Sequence, residues 1–83
     1  MIVRSSKELA EFARDYRSRK KLSQTELGDL VGLPQKTVSA FERRPDSTKL
    51  ETFFRLLSAL DLELQLVSKT EPNSATIGWD EEW

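Results

Sequence analysis

Apolar residues recur at three- and four-residue spacing between Leu22 and Glu42, and this pattern predicts two short helices around a turn. Ser23 and Glu26 have the spacing of a capping box, which marks the start of the first helix. Gly32 supplies the left-handed residue that ends it. The apolar face of this helix consists of Leu27, Leu30 and Val31.

The second helix of the pair is predicted from about Gln35, and Leu33 turns back inward just before it. Val38 and Phe41 form its apolar face. Two short helices around a glycine turn are typical of a helix-turn-helix, whose second helix enters the DNA major groove. The side chains outside this apolar face have no role in folding, so they are candidates for reading base edges. They are Gln35, Lys36, Ser39 and Ala40.

The hydrophobic pattern alone does not separate a helix-turn-helix from a plain helical bundle. Gly28 lies inside the first helix, where glycine costs about 1 kcal/mol relative to alanine. A small residue at that position indicates that the second helix approaches closely. Gln24 and Gln35 both lie in first turns, where side chains and free amides can face phosphate and base together. Both observations favour DNA binding.

A further helix is predicted from about Ser6, because Ser5 and Glu8 have capping-box spacing. Its buried stripe is predicted to be Leu9, Phe12, Ala13 and Tyr16. Residues 1–5 are β-prone and form either a loose arm or a strand. The segment 14–21 carries five basic residues and one acid. These cations either complement the helix dipole or contact phosphate, and the sequence leaves both open.

A fourth helix is predicted to follow a turn at Pro45 and Asp46, opened by a third capping box of Thr48 and Glu51 and ending near Leu60. It carries more apolar residues than one face can use, which is typical of a buried core helix and also suggests a dimer interface. These residues are Leu50, Phe53, Phe54, Leu56, Leu57, Ala59 and Leu60.

A half-buried β-strand is predicted next, because apolar and polar residues alternate. Its apolar positions are Leu62, Leu64 and Leu66. A lone strand leaves its backbone amides and carbonyls unpaired, so it must pair with the N-terminal arm or with its own copy. We favour the copy, since helix-turn-helix proteins commonly bind two half-sites as symmetric dimers.

The chain divides into a domain at residues 1–68 and a polar, acidic tail at residues 69–83 that is predicted to lack structure alone. The tail nevertheless holds both tryptophans, Trp79 and Trp83. Tryptophan is enriched at binding hot spots, so we expect these residues to contact a protein partner; the alternative is that they fold back on the domain.

Composition narrows the class of protein further. The net charge is −1, but residues 1–68 hold twelve Lys or Arg and ten acids, so the domain itself is weakly basic. The chain has no His and no Cys, and no evident nucleophile–base pair, so an enzyme or a metal site is not expected and no cofactor is implied. Without cysteine or a long apolar run, we expect a cytoplasmic protein associated with the nucleoid, with no membrane contact.

The helix pair resembles the lambda-repressor-like (Xre) helix-turn-helix family over about residues 8–62. The matching residues are LSQTEL, Gly32, Gln35, Val38-Ser39 and Phe41-Glu42. Two positions depart from the family pattern. Pro34 lies where the family usually has a capping Ser or Thr, and Arg44 lies near a position where many members have Gly.

PDSTKLETFF, the leucine strand and an acidic tail ending in Trp83 extend this similarity, so that nearly the whole chain resembles the HipB antitoxins. The resemblance implies an all-α, lambda-repressor-like bundle with one C-terminal strand per chain, paired across a homodimer. It implies a repressor of its own operon that binds a palindromic operator and neutralises a HipA-type serine/threonine kinase toxin.

By matching positions, the resemblance places Gln35, Lys36, Ser39 and Ala40 at the bases and Gln24, Thr37 and Arg43 at phosphates. Two alternatives stay open. One is a phage-type or restriction-controller regulator without a toxin partner. The other is a protein-interaction module that does not bind DNA.

Overall fold

The computed structural model describes residues 2–69. This part of the chain is all-α, as predicted. Its four α-helices are α1 (Ser6–Arg19), α2 (Gln24–Val31), α3 (Gln35–Arg43) and α4 (Leu50–Ala59), and a short 3-10 helix (Pro45–Ser47) lies between α3 and α4. The four helix starts, and the ends predicted for α2 and α4, lie within one or two residues of the sequence predictions. Both tryptophans, Trp79 and Trp83, lie outside the described residues.

All four α-helices contribute to a single apolar core. Val38 of α3 is fully buried at its centre, and Leu56 and Leu60 from the α4 region are almost completely buried beside it. The Phe41 and Phe53 rings face each other with centroids 6.2 Å apart. The other buried core residues are Ala10, Ala13, Leu27 and Leu57. The inward turn of Leu33 is confirmed, since this side chain packs against the core.

Two helix faces differ from the periodicity predictions. Ala10, not Phe12, lies in the buried stripe of α1; Phe12 is half-buried and stacks on Tyr16 instead. Leu30 was predicted on the apolar face of α2, but it is 61% exposed. Helical spacing identifies which residues share a face, whereas neighbouring helices decide how much of that face is covered.

The start of α4 also corrects a prediction, because Thr48 and Glu51 do not form a capping box. Lys49 is the N-cap, and it makes no side-chain cap hydrogen bond. The Thr48 backbone N–H instead donates to the Pro45 carbonyl at 3.0 Å and closes the 3-10 helix. The chain therefore enters α4 one residue later than the capping pattern predicts.

At the N-terminus of α1, one of the two hydrogen bonds of the predicted capping box is formed. Ser5 is the N-cap and its hydroxyl accepts from the Glu8 N–H at 3.1 Å. The Glu8 carboxylate accepts from the Arg4 N–H at 2.8 Å, one residue away from the predicted donor. This bond fastens the N-terminal arm to the first turn of α1.

After α4, the predicted strand segment has no regular secondary structure. No β-ladder is formed among residues 2–69, so residues 62–67 are not paired as a strand within the single chain. Leu62 packs against the core, whereas Leu64 and Leu66 are 49% and 86% exposed. A strand paired across a dimer stays a prediction.

Candidate nucleic-acid interface

The first helix of the motif is fixed by bonds local to its N-terminus. The Ser23 N–H donates to the Glu26 carboxylate at 2.8 Å, and the Glu26 N–H donates to the Ser23 hydroxyl at 3.0 Å, which is the predicted capping box. Two hydrogen bonds lower the pKa of the Glu26 carboxyl. The larger effect comes from the Ser23 backbone and the smaller from the Ser23 side chain. Glu26 is therefore an anion near the helix N-terminus, where the helix dipole favours negative charge.

The turn between the helices requires two glycines, Gly32 at the end of α2 and Gly28 inside it. Gly32 ends α2 in the left-handed conformation, with φ of 70°, as predicted. A Cβ added at Gly28 would collide with the Leu33 carbonyl oxygen and lie 3.4 Å from a methyl of Val38. The close approach predicted at Gly28 is thus made chiefly by the turn and only secondarily by α3. This approach sets the crossing of α3 over α2.

A hydrogen-bonded network joins the two helices at the first turn of each. Gln35 Nε2 donates to Gln24 Oε1 at 2.6 Å, and Gln24 Nε2 donates to Glu42 Oε1 at 3.0 Å. Glu42 is paired in turn with Arg17 of α1 through two bonds, of 2.7 and 3.1 Å. Arg17 also donates to the Leu22 carbonyl at 2.7 Å.

One end of this network is largely buried, and the other end is exposed to solvent. The Glu42 and Arg17 side chains are only 5% and 13% exposed, whereas Gln35 is exposed. The Gln35 amide retains one N–H and its oxygen, because a single N–H is used for Gln24. The buried ion pair therefore holds an exposed amide through Gln24.

Sequence reasoning missed the roles of Arg17 and Glu42. Arg17 was counted with the basic run at the end of α1, where its charge could equally complement the helix dipole or contact phosphate. The structure commits it to Glu42. The sequence did contain one signal, because Glu42 is among the residues that match the family pattern. Its partner Arg17 lies 25 residues earlier in the chain, so the pattern did not identify the pair.

A basic groove runs along the other side of α3, towards the start of α4. Lys36, Thr37, Ala40 and Arg43 line it, so it gathers two of the predicted base-edge residues and two of the predicted phosphate residues. Gln24, Gln35 and Ser39 do not line this groove. The predicted interface thus has two parts, the glutamine network and this basic groove, and the half-buried Ser39 belongs to neither.

The basic groove also includes five residues that the sequence analysis did not assign to DNA contact: Arg44, Ser47, Thr48, Lys49 and Thr52. Four of its nine lining residues are cationic, four carry hydroxyls, and none is acidic. Four of them lie in the segment 43–49, RRPDSTK, whose basic and hydroxyl residues were the available signal, and Thr52 follows in α4. A concave, cationic and hydroxyl-rich surface without carboxylates is suited to a polyphosphate backbone.

The 3-10 helix is fastened to α1 beside this groove. The Ser6 hydroxyl donates to the Asp46 carboxylate. Arg43 and Arg44 immediately precede this helix, so the contact places their backbone relative to α1. Among residues 2–69, no cluster of His, Cys, Asp or Glu could hold a metal ion, and no helix is long and apolar enough to cross a membrane.

Comparison with known proteins agrees with this geometry. The Helix-turn-helix family model matches residues 14–67. Antitoxin HipB of Escherichia coli O6:H1 is 35% identical over 82 residues, which span 98% of this chain and 87% of that protein. Antitoxin HipB of Escherichia coli K12 is 38% identical over 64 residues, covering 77% of this chain and 73% of that protein. The chain belongs to the HipB antitoxin family.

Solved structures agree with this membership of the HipB family. A chain from a HipA–HipB–O2–O3 complex matches with a TM-score of 0.81 at 34% identity, covering 84% of this chain and 99% of that one. A chain from a HipB–O4 20mer complex gives the same TM-score, identity and coverage. The helix arrangement described above is therefore that of HipB.

Proposed function

We propose that this chain is an antitoxin and a DNA-binding repressor of its own operon, which binds and neutralises a HipA-type serine/threonine kinase toxin. The observation that carries the DNA-binding part is the basic groove beside α3, with four cations and no carboxylate among its lining residues. The solved HipB relatives include a HipB–O4 20mer complex and a HipA–HipB–O2–O3 complex, which support both partners.

Base reading is assigned to α3. The remaining Gln35 N–H and oxygen suit the N7 acceptor and N6 donor of adenine, which glutamine pairs with in the major groove. Lys36 offers a donor to guanine, Ser39 a hydroxyl, and Ala40 a methyl contact to thymine. Lys36 and Gln35 are exposed, whereas Ser39 and Ala40 are half-buried and must be reached by the base.

Phosphate binding is assigned to Gln24, Thr37 and Arg43. Gln24 retains one amide N–H after its bond to Glu42, so it can donate to a phosphate near the start of α2. Thr37 and Arg43 lie in the basic groove on the other side of α3. Phosphate contacts on both sides of a helix fix its register in the major groove.

A homodimer is proposed through the C-terminal strand. Leu64, Leu66 and Val67 are 49%, 86% and 79% exposed, and Phe54 of α4 is 49% exposed. Pairing of residues 62–67 with the same residues of a second copy would form the ladder of the strand and cover this apolar surface. A two-fold symmetric dimer implies a palindromic operator, with one half-site for each α3.

Toxin binding is proposed to involve the tail, residues 69–83, acting as a segment separate from the domain at residues 1–68. Trp79 and Trp83 supply apolar anchors, and the acidic residues around them suit a basic rim on the toxin. Because the DNA partner is the chromosome, we place the protein in the cytoplasm at the nucleoid.

The proposal is tested with the full-length chain, the DNA upstream of its own operon and the purified toxin. We expect a salt-sensitive, saturable complex with the palindrome, weaker binding to a scrambled duplex, and a stable complex with the toxin. DNA binding without toxin binding would favour a phage-type or restriction-controller regulator. Loss of all salt-sensitive DNA binding would favour a protein-interaction module.

A further inference from the structure

The outer face of α1 forms a groove with the N-terminal arm, on residues that contribute neither to the glutamine network nor to the basic groove. Its apolar side chains are Ile2 from the arm and Phe12 and Tyr16 from α1. Ile2 is 72% exposed, and the Phe12 and Tyr16 rings stack with centroids 5.9 Å apart. We call this surface the α1 groove.

Carboxylates line the α1 groove. Glu8, Glu11 and Asp15 contribute three, against the single guanidinium of Arg19. Glu8 is engaged by the Arg4 backbone N–H, which fixes the arm that forms one wall. Glu11 and Asp15 are exposed, and within residues 2–69 neither forms an ion pair.

The aromatic floor of the α1 groove also accepts positive charge. The Lys20 ammonium lies 5.5 Å from the centroid of the Tyr16 ring, so one ring face is already in a cation–π contact. A groove with half-buried aromatic rings, an exposed Ile2 and carboxylates outside any ion pair is complementary to a segment that carries lysine or arginine beside apolar residues.

The charge of the α1 groove excludes two occupants. DNA phosphate would meet three carboxylates, whereas the basic groove beside α3 has none. A second copy seated symmetrically would place Glu11 and Asp15 against acids of its own kind. The solved complex of relatives contains HipA, HipB, O2 and O3 together, which is compatible with a protein-docking surface away from the DNA-facing residues.

We propose that the α1 groove docks a lysine- or arginine-bearing segment of the toxin. This inference rests on the proposed toxin partnership and assigns it a surface on the folded domain, in addition to the tail. Phe12 and Ile2 supply the apolar contact, and Glu11 and Asp15 supply the charge that orients the basic segment. Binding there leaves α3 and the basic groove accessible to DNA.

The test measures toxin affinity by titration calorimetry at low and high salt, with full-length chains. We expect the double variant Glu11→Lys, Asp15→Lys to bind toxin at least about tenfold more weakly at low salt, with a smaller loss at high salt. Its operator affinity is expected not to fall. The matched control Asp29→Lys, Glu51→Lys makes the same change in net charge at exposed sites outside the groove, and it should bind toxin within about twofold of wild type.

A thermal melt of each variant checks folding. If the lysine pair lowers the melting temperature, the pair Glu11→Gln, Asp15→Asn removes the charges with less repulsion, and it should still weaken toxin binding. Wild-type affinity in the charge variants, or an equal loss in the control, overturns the α1 groove as the docking site. Failure of the wild-type chain to bind toxin at all would overturn the toxin partnership itself, and the groove assignment with it.

Discussion

Gln35 and Gln24 are eleven residues apart in the chain, yet their side-chain amides are joined by a 2.6 Å hydrogen bond at the exposed end of a network that runs through Glu42 to Arg17. A side chain that is already held pays less entropy when it meets a base than a free one does. The position of Gln35 therefore depends on a buried ion pair on the far side of the motif.

The first prediction separates base reading from phosphate binding. Gln35→Ala should weaken binding to the cognate palindrome by about 1–3 kcal/mol and affect random duplexes much less, because it removes a base contact. Arg43→Ala should weaken both alike and reduce the salt slope by about 1. Fluorescence anisotropy across a salt series measures both quantities. Equal losses of Gln35→Ala on cognate and random DNA would reject its assignment to the bases.

The second prediction concerns the ion pair of Arg17 and Glu42. Glu42→Ala leaves the Arg17 side chain, which is 13% exposed, without its partner, and the cost should approach that of breaking a fully buried pair, about 3–5 kcal/mol. For a domain of this size the melting temperature should fall by roughly 10 °C or more at fixed protein concentration. Differential scanning calorimetry would show it.

A matched double variant, Arg17→Met with Glu42→Leu, separates stability from recognition. Replacing a buried pair by apolar residues is often nearly neutral, so the melting temperature should largely recover. Gln24 nevertheless loses its acceptor at Glu42, so discrimination between cognate and random DNA should stay reduced. Full recovery of discrimination would show that the pair serves stability alone.

The third prediction concerns Gly28, where two physical effects have opposite signs. Helix propensity alone predicts that Gly28→Ala stabilises the fold by about 1 kcal/mol. The collision of the new Cβ with the Leu33 carbonyl oxygen predicts the reverse. Since that neighbour is backbone and cannot rotate away, we expect net destabilisation of roughly 1–3 kcal/mol by urea unfolding. A stabilised variant would contradict the close packing at this turn.

The fourth prediction concerns the dimer. Leu64→Pro removes a ladder donor, and Leu64→Asp places a charge at a position that is 49% exposed in the single chain but covered in the proposed pair. Both should shift the mass in sedimentation equilibrium from dimer to monomer and weaken operator binding, since two half-sites no longer bind as one unit. Glu63→Gln, on the neighbouring exposed position, is the control. A dimer mass in both Leu64 variants would place the dimer contact elsewhere.

The fifth prediction concerns the tail. Deleting residues 72–83 should weaken toxin binding, and Trp83→Ala alone should reproduce a large part of that loss, because the indole supplies apolar contact at low rotamer cost. Operator affinity should stay equal or rise slightly, because the removed charge repels phosphate. Calorimetry with purified toxin measures the first effect. A large fall in the melting temperature of the free protein would show instead that the tryptophans fold onto their own domain.

Elements specified by contacts within a few residues were predictable from the sequence. The capping box of Ser23 and Glu26 and the left-handed Gly32 involve bonds between near neighbours in the chain, so local spacing is sufficient to predict them. The apolar period likewise identified Val38 and Phe41 as core residues. The family pattern in Leu22–Glu42 could also be identified from the sequence, because most of the residues that define it form contacts with residues nearby in the chain.

Tertiary structure decided what depends on residues far apart in the chain. The Arg17 and Glu42 pair joins residues 25 positions apart, and no local pattern distinguishes this arginine from the other cations beside it. Ala10 is buried and Leu30 exposed because neighbouring helices cover one face and leave the other open. Thr48 satisfied the capping pattern but closes the 3-10 helix instead, because its backbone N–H bonds to Pro45. Sequence spacing determines which bonds a segment can form alone, whereas packing determines which of them the folded chain retains.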